Sequence, residues 1–467
     1  MGNMDSSNAV WFGALPESWD YRRIKNLFSM RDERNFFPLE DVNLISLYSN
    51  AGVMQNSDIE HTTGNKAKNA DGYKIVHEGD IIVNILLCWM GAVGYSAYNG
   101  VTSPAYDIYI PNCEANPKYY HYLFRTPLFS QQCYKVGKGI MAMRWRTYSP
   151  QFRDIVVPHP PLAVQGQIVR FLDWKVSSVN RLISNCRHEI ALLDEMKRQL
   201  IDESVTKGIR NSRLIHSGDI RWDIEYPEHW RIQRIRETFS FRKGLSITKA
   251  NLEESGVAVI SYGQIHSKKN SGVGLNAELI RHINESYLTA NQNALVEKGD
   301  FIFADTSEDV TGCGNCVYID WDNMIFAGYH SIIAHSTGAM NNKYLAYLFQ
   351  SPTWRYQIRK KVNGVKVYSI TQRILKDTFI LVPPVEEQDE IVRRLDKACI
   401  KIYALVRRAE AKITLLQELK TRLISDVVTG KVNVQDIAIP EYEFVGEEAD
   451  ADADECGEED TGNAEFE

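Results

Sequence analysis

Five stretches of this chain occur twice, in the same order and about 220 residues apart, and this duplication limits the possible folds more than any other feature. LPESWDYRRIKNLF (15–28) returns as YPEHWRIQRIRETF (226–239), with Pro16, Trp19, Ile24 and Phe28 answered by Pro227, Trp230, Ile235 and Phe239. VHEGDIIV (76–83) returns as VEKGDFIF (296–303), and KYYHYLFRTP (118–127) as KYLAYLFQSP (343–352). PPLAVQGQIVRFLD (160–173) returns as PPVEEQDEIVRRLD (383–396), and KRQLIDESVTKG (197–208) as KTRLISDVVTGK (420–431). The offset runs from 211 (16 to 227) to 225 (118 to 343), as loops of unequal length require. The period is far longer than that of a solenoid, so the chain is a tandem pair of one domain-sized unit.

Each unit changes texture once. Its first part is rich in Gly, Asn, aromatic and β-branched residues, with short apolar runs such as YKIVHEGDIIVNI between turn signals, and reads as an α+β domain with a mixed or mostly antiparallel sheet. DIIVNILLCWMGAVGY (80–95) reads as buried strands, and KYYHYLFRTPLFSQQCYKV has helical spacing broken at a proline. The last part is helical. Pro160-Pro161 and Pro383-Pro384 close a strand, and the second proline suits a first helical turn. One heptad frame runs through Val176, Val179, Ile183, Cys186, Ile190, Leu193, Lys197 and Leu200; 223 residues on it runs through Cys399, Ile402, Val406, Ala409, Ile413, Leu416, Lys420 and Leu423. Every member but the lysine is apolar or small. That alternation of three and four is a coiled-coil seam, with Val179, Ile183, Ile190, Leu193, Leu200, Ile402, Val406, Ile413, Leu416 and Leu423 as its expected interface. At ~1.5 Å per residue each helix is roughly 65 Å long, and it cannot bury such a seam alone. The expected architecture is two tandem α+β domains separated by two long helices in an antiparallel coiled coil with a pseudo-twofold axis. The expected boundaries are 1–159, first domain; 160–208, central helix; 209–382, second domain; 383–432, C-terminal helix; and 433–467, an acidic disordered tail.

The formal net charge of −7 conceals two parts. Residues 433–467 carry 14 acids and no Lys or Arg, which leaves 53 basic against 46 acidic residues in 1–432, a net of +7. The basic body permits nucleic acid as a partner. The tail reads as a solubilising leash or as a competitor screening a DNA-binding face. No apolar run is long enough to span a membrane, and the N-terminus lacks the pattern of a signal peptide, so a cytoplasmic location is expected.

Catalytic signatures are missing. TGKVNV (429–434) lacks the remainder of a P-loop, no GxGxxG opens a helix after a strand, and NPKYY (116–120) lacks the second proline of an amino-methyltransferase motif. The triplets DWK (173–175) and ELK (418–420) fall on the coiled-coil helices and not in a nuclease site. Cys313 and Cys316 form a solitary CxxC, so no metal site is expected. The chain reads as a binder. A basic and aromatic stretch precedes each long helix: YKVGKGIMAMRWRTYSP (134–150), with Lys135, Lys138, Arg144, Trp145, Arg146 and Tyr148, and RYQIRKKVNGVKVYS (355–369), with Arg359, Lys360, Lys361, Lys366 and Tyr368. Such groups neutralise phosphates, and Arg also reads guanine edges; equally, each stretch suits a solvated connection between helix and strand. A weaker pair of patches is Arg242 and Lys243, answered by Arg31 and Arg34. Gln264 and His266 in SYGQIH suit a turn better than a base contact.

Two α+β domains that open with P-E-x-W, each followed by a hydrophobic–Pro-Pro–x–x–x–Gln entry (Gln165, Gln388) to a long helix closing in LI…VTKG or LI…VTGK, resemble the specificity subunit of type I restriction–modification systems. The resemblance covers about 1–432. Val164 stands where the second copy has Glu387, a departure from the usual Pro-Pro-x-x-Glu-Gln. The resemblance implies a non-catalytic subunit that reads a bipartite target in double-stranded DNA, one half per domain, with the helices setting the spacer. It implies two modification subunits carrying S-adenosylmethionine and restriction subunits using ATP and Mg, with no cofactor in this chain. The competing reading is a coiled-coil protein adaptor that reads no DNA sequence.

Overall fold

The computed structural model describes residues 11–48, 52–55, 69–139, 145–219, 221–364 and 366–446. The first copy contains strands β1 (Phe28–Arg31), β2 (Ile81–Asn84), β3 (Val93–Tyr95) and β4 (Tyr106–Pro111), joined in the order β1-β4-β2-β3 with every pair antiparallel. The second repeats it with β5 (Phe239–Lys243), β6 (Phe301–Ala304), β7 (Cys316–Tyr318) and β8 (Ser331–Ser336), in the order β5-β8-β6-β7. The second copy adds a smaller sheet in which Val257–Ile260 runs parallel to Ile325–Ala327. Both faces of the central strands are covered, which is why IIVN and FIFA read as continuous apolar runs. Ile81 and Val83 pack with Tyr119, Phe124 and Phe152, while Ile82 turns to Ile45, Leu47 and Ile108. Phe301 and Phe303 repeat the first pattern against Tyr344, Phe349 and Trp354.

The helices are α1 (Pro117–Phe124), α2 (Pro127–Val136) and the 45-residue α3 (Leu162–Thr206) in the first copy. The second copy has α4 (Asn342–Gln350), α5 (Pro352–Arg359) and the 44-residue α6 (Val385–Val428). Proline at the first position and a Thr126 or Ser351 cap explain the α1–α2 and α4–α5 breaks. The chain divides into two compact units that do not coincide with the two copies. One comprises residues 1–187 and 410–467, the other 188–409, so each unit holds half of each long helix.

Within each unit the repeated signature has a mechanical meaning. Gln165, fully buried at the start of α3, accepts a bond from Asn116 N (2.8 Å) and donates to Glu114 O (3.1 Å) and Pro160 O (2.8 Å). Gln388 does the same at α6, accepting from Asn341 N (2.8 Å) and donating to Pro383 O (2.8 Å). Asn116 and Asn341 are the N-caps of α1 and α4, so each glutamine ties the entry of a long helix to the start of the helix it packs on. Two turns on, Asp173 accepts from the Tyr122 hydroxyl (2.7 Å), and Asp396 from Tyr347 (2.8 Å) and Lys343 (2.8 Å). Glu387 is buried and meets His229 Nε2 at 2.8 Å; Val164 packs on its core without a charge.

The far ends of the helices close the units. Gly430, in the left-handed conformation after α6, sits where a Cβ would lie 2.6 Å from Pro16. Gly208, after α3, has the same φ of 76° and would bring a Cβ within 3.0 Å of Trp230. The Tyr119 hydroxyl donates to Val428 O (2.8 Å), and its counterpart Tyr344 to Leu381 O (3.2 Å) and Val205 O (3.4 Å). The P-E-x-W motif is thus a seat for the C-terminus of a long helix. In each unit the chain closes between a domain, the helix that leaves it, and the end of the other helix.

The helices run antiparallel. Lys420 Nζ donates to Asn180 Oδ1 (3.3 Å) in one unit; in the other, Lys197 Nζ lies 5.0 Å from the Tyr403 ring centre and Arg210 pairs with Glu390 (2.9 Å). Each of these pairs sums to 600, as an antiparallel pairing requires, and Leu200 packs with Cys399 in the core of the second unit. Val179, Ile183 and Ile402 are buried, and Ile190, Leu193, Leu200, Val406, Ile413, Leu416 and Leu423 are half-buried beside exposed neighbours.

The tail expectation needs correction. Residues 433–446 lie along α3 and are anchored at a few positions: Val434 is buried, and Ile437 and Ile439 pack against the core of the first unit. The count of acids hid these apolar residues. Residues 447–467 lie outside the described residues.

Candidate nucleic-acid interface

In the first unit the described ends of the basic stretch, up to residue 139 and from residue 145, are tied to each other and to the core. Phe129 and Cys133 anchor α2 in the core, which leaves Tyr134 and Lys135 exposed at its end. Gly137 is needed next, because a Cβ there would lie 2.5 Å from Trp145 Nε1. The Trp145 ring stacks on Tyr134 (4.8 Å, 24°), and its indole donates to Tyr134 O (3.0 Å). Lys138 and Arg146 exchange backbone bonds of 2.9 and 3.0 Å, and Thr147 is buried, its N–H on Ile85 O (2.9 Å) and its hydroxyl on Cys133 O (3.2 Å). The outcome is a stacked Tyr134–Trp145 pair with Lys135, Lys138, Arg146 and Tyr148 exposed near it in sequence. Arg144 lies outside the described residues.

The matching stretch of the second unit is used differently. Arg359 is half-buried, donates to Thr311 O (2.6 Å), and has its pKa lowered by burial. Lys361 is half-buried with Nζ 3.4 Å from Asp377 O, and burial lowers its pKa too. Lys360 is exposed, and its ammonium donates to Arg221 O. All three cations donate to carbonyls of their own unit, and Arg359 and Lys361, expected to contact DNA, are half-buried there while Lys360 is exposed. Lys366 is exposed; Tyr368 is half-buried in a two-residue strand paired with Thr306–Ser307.

Three of the four cations of the weaker patch are engaged within their own copy. Arg242 lies 3.5 Å from Asp300, a fully buried carboxylate that also meets His335 Nδ1 (2.6 Å) and the Glu297 N–H (3.0 Å). The first copy repeats the pair, with Arg31 on Asp80 at 3.0 and 3.2 Å. The Asp of each E-G-D or K-G-D turn needs a cation because it is buried, and the strand beside it supplies one. Arg34 bonds Asp32 and Gly72 O. Lys243 is exposed on β5. Gln264 forms a capping box with Ser261, and His266 meets Thr306 O (2.9 Å) and Asn315 (3.1 Å), both turn roles. Cys313 and Cys316 are buried thiols. Among the described residues no group of three His, Cys, Asp or Glu side chains could hold a metal ion, and no helix is long and apolar enough to cross a membrane.

A second surface escaped the sequence reading. Leu182, Leu415 and Leu419 are exposed on the helices of the first unit, and Leu405, Leu192 and Met196 on those of the second. They are repeat partners, 223 residues apart in each case (182 to 405, 192 to 415, 196 to 419). All flank the seam instead of lying in it, so each unit presents the same small apolar face. The available signal was leucine recurring beside the seam in both copies.

Comparison with known proteins gives a consistent picture. The family model of the type I restriction modification DNA specificity domain matches twice, at residues 16–190 and 227–415. The type I restriction enzyme MjaVIII specificity subunit of Methanocaldococcus jannaschii is 23% identical over 289 residues, 61% of this chain and 64% of that one. The EcoKI specificity subunit of Escherichia coli is 24% identical over 294 residues, 61% of this chain and 59% of that one. The matched region therefore spans about three fifths of these curated relatives. A chain solved in a study of complex assembly and conformational transition of a type I R-M system superposes with a TM-score of 0.59 at 16% identity, covering 90% of this chain and 100% of that one. That likeness concerns the fold.

Proposed function

The chain belongs to the type I restriction modification DNA specificity family, and we propose that it is the non-catalytic subunit that reads a two-part sequence in double-stranded DNA for a type I restriction–modification complex. One observation carries the reading. The same α+β domain occurs twice, each copy docked on the long helices through the same glutamine, aspartate, tyrosine and glycine, while the surfaces beyond those contacts differ. A scaffold kept constant beneath two divergent domains suits two separate readings of DNA held in fixed relation.

The recognition domains are residues 1–159 and 209–382, and the helices between them set the spacer. Lys135, Lys138, Arg144, Arg146 and Tyr148 meet DNA in the first; Lys243, Lys360 and Lys366 do so in the second. Two modification subunits, which bring S-adenosylmethionine and extrude the target adenine, bind the chain. The two repeated apolar faces support a pair of identical partners. Restriction subunits bring ATP and Mg, the chain holds no cofactor of its own, and the complex works in the cytoplasm.

The deciding experiment is the methylome of cells carrying this chain with its modification subunit. The expected result is a single split motif, two short defined halves around a fixed number of unspecified base pairs. Methylation at scattered sites without a split consensus would overturn the proposal.

A further inference from the structure

We propose that the outer face of α6 between Arg393 and Arg408 is a docking surface for an acidic, extended segment with interspersed apolar residues, carried by a partner subunit. The first unit contains a template for that occupant. Residues 433–446 lie along α3, gripped by side chains of the helix. Gln167 Nε2 donates to Val434 O (3.1 Å) and Ile437 O (2.9 Å), and Asn180 Nδ2 to Val445 O and Gly446 O (3.1 Å each). The Ser177 hydroxyl accepts from Val445 N (3.2 Å), and Arg181 pairs with Glu443 (3.2 Å). The covered segment NVQDIAIPEYEFVG alternates acids with apolar residues, and under it Ser177 is 2% exposed.

The repeat carries that face onto α6. Gln167, Ser177, Asn180 and Arg181 become Glu390, Ile400, Tyr403 and Ala404. On that face Glu390 pairs with Arg210 and Tyr403 lies against Lys197, while Ile400 between them is 68% exposed. Around Ile400 stand six exposed cations, Arg393, Arg394, Lys397, Lys401, Arg407 and Arg408. The only acid between residues 391 and 409 is Asp396, which is engaged by Lys343 and Tyr347. Of the six, only Arg393 has a cation at the matching position of α3, Arg170, which donates to Gln167; nearby, Lys175 lies 3.7 Å from the Trp174 ring and Arg181 pairs with Glu443.

Two features select the occupant. Arg393, Lys397, Ile400, Ala404 and Arg407 follow one helical stripe, so a single extended segment can meet them in turn. Ile400 in the centre of that stripe calls for an apolar contact, which a phosphate backbone does not offer. This chain's own segment has the right chemistry but already lies on α3. The identity of the partner as a subunit of the restriction–modification complex rests on the function proposed above; the chemistry of the face does not.

The test uses the full chain and a labelled peptide of its own residues 433–467 as the probe, followed by fluorescence anisotropy at 50 and 300 mM salt. The comparison variant is Lys397→Glu/Ile400→Ser/Arg407→Glu, with its fold checked by thermal melting. The expected result is saturable binding of one peptide per chain, at least tenfold weaker in the variant and at high salt. No binding, or equal binding by chain and variant, overturns the inference. A parallel titration with a 30-base-pair random duplex guards against the other polyanion. If the variant loses duplex affinity while the peptide shows no preference, the face belongs to DNA and the inference fails. Peptide binding without a split methylation motif would instead sink the functional reading and leave the docking face standing.

Discussion

Single positions separate cations engaged within the protein from cations left exposed. Lys138 is exposed beside Arg146, with which it exchanges backbone bonds, whereas Arg359, a residue of the matching stretch, is half-buried on Thr311 O. Lys138→Ala is expected to leave the melting temperature unchanged and to reduce the salt dependence of DNA binding by roughly 1 in log–log slope. Arg359→Ala should do the reverse, destabilising by about 1–3 kcal/mol through an orphaned carbonyl and lost packing. Salt titrations and melting curves on both variants decide the matter, and matching behaviour would refute the division. Sequence alone did not allow it, because the partners of Arg359, Lys361 and Arg242 lie 48, 16 and 58 residues away and two of the three are backbone oxygens. The Val164/Glu387 difference is legible in the sequence but its cause is not. Glu387 has His229, where the first copy has Ser18. Val164→Glu should destabilise by about 1–3 kcal/mol, with no such histidine to meet it, and leave the methylated sequence unchanged. Adding Ser18→His should recover part of the loss. A changed half-site in the methylome would contradict this.

At the scale of elements, the heptad frame is legible because its three- and four-residue spacing recurs in both copies, and Val179, Ile183 and Ile402 on it are buried. It could not say what the seam lysines do. Lys197 lies against Tyr403 and Asp194, and Lys420 against Asn180, which itself holds Val445 and Gly446. Polar seam residues generally cost stability. Lys197→Leu is therefore expected to raise stability by about 1 kcal/mol. Lys420→Leu should gain less or lose, since it strips Asn180 Oδ1 of its donor. Denaturant melts of the two variants should differ in that order, and a larger gain for Lys420→Leu would refute the account. Length is a separate variable. Adding one heptad to each helix at facing seam positions lengthens it by about 10 Å, close to three base-pair steps. The methylated motif should keep both halves and widen its spacer by about three, and an unchanged spacer would remove the helices from that role.

Across the whole molecule, the sequence repeat and the compact units do not share boundaries. The repeat divides the chain near residue 209, yet the units are 1–187 with 410–467 and 188–409. The sequence displays the duplication openly but conceals this closure, because contacts such as Tyr119 to Val428 join residues 309 apart. The consequence for domain exchange is direct. Replacing residues 1–158 wholesale with another family member's first domain removes the seat of Gly430 on Pro16 and Trp19, along with the Gln165 and Asp173 partners Asn116 and Tyr122. A swap that keeps Pro16, Trp19, Asn116, Tyr119 and Tyr122 preserves every one of those contacts. It should fold with a melting temperature close to the parent's, and its methylome should show one new half-site, the second half and the spacer unchanged. If both halves change, the two domains do not read independently; if neither does, the first domain's divergent surface is not the reading surface.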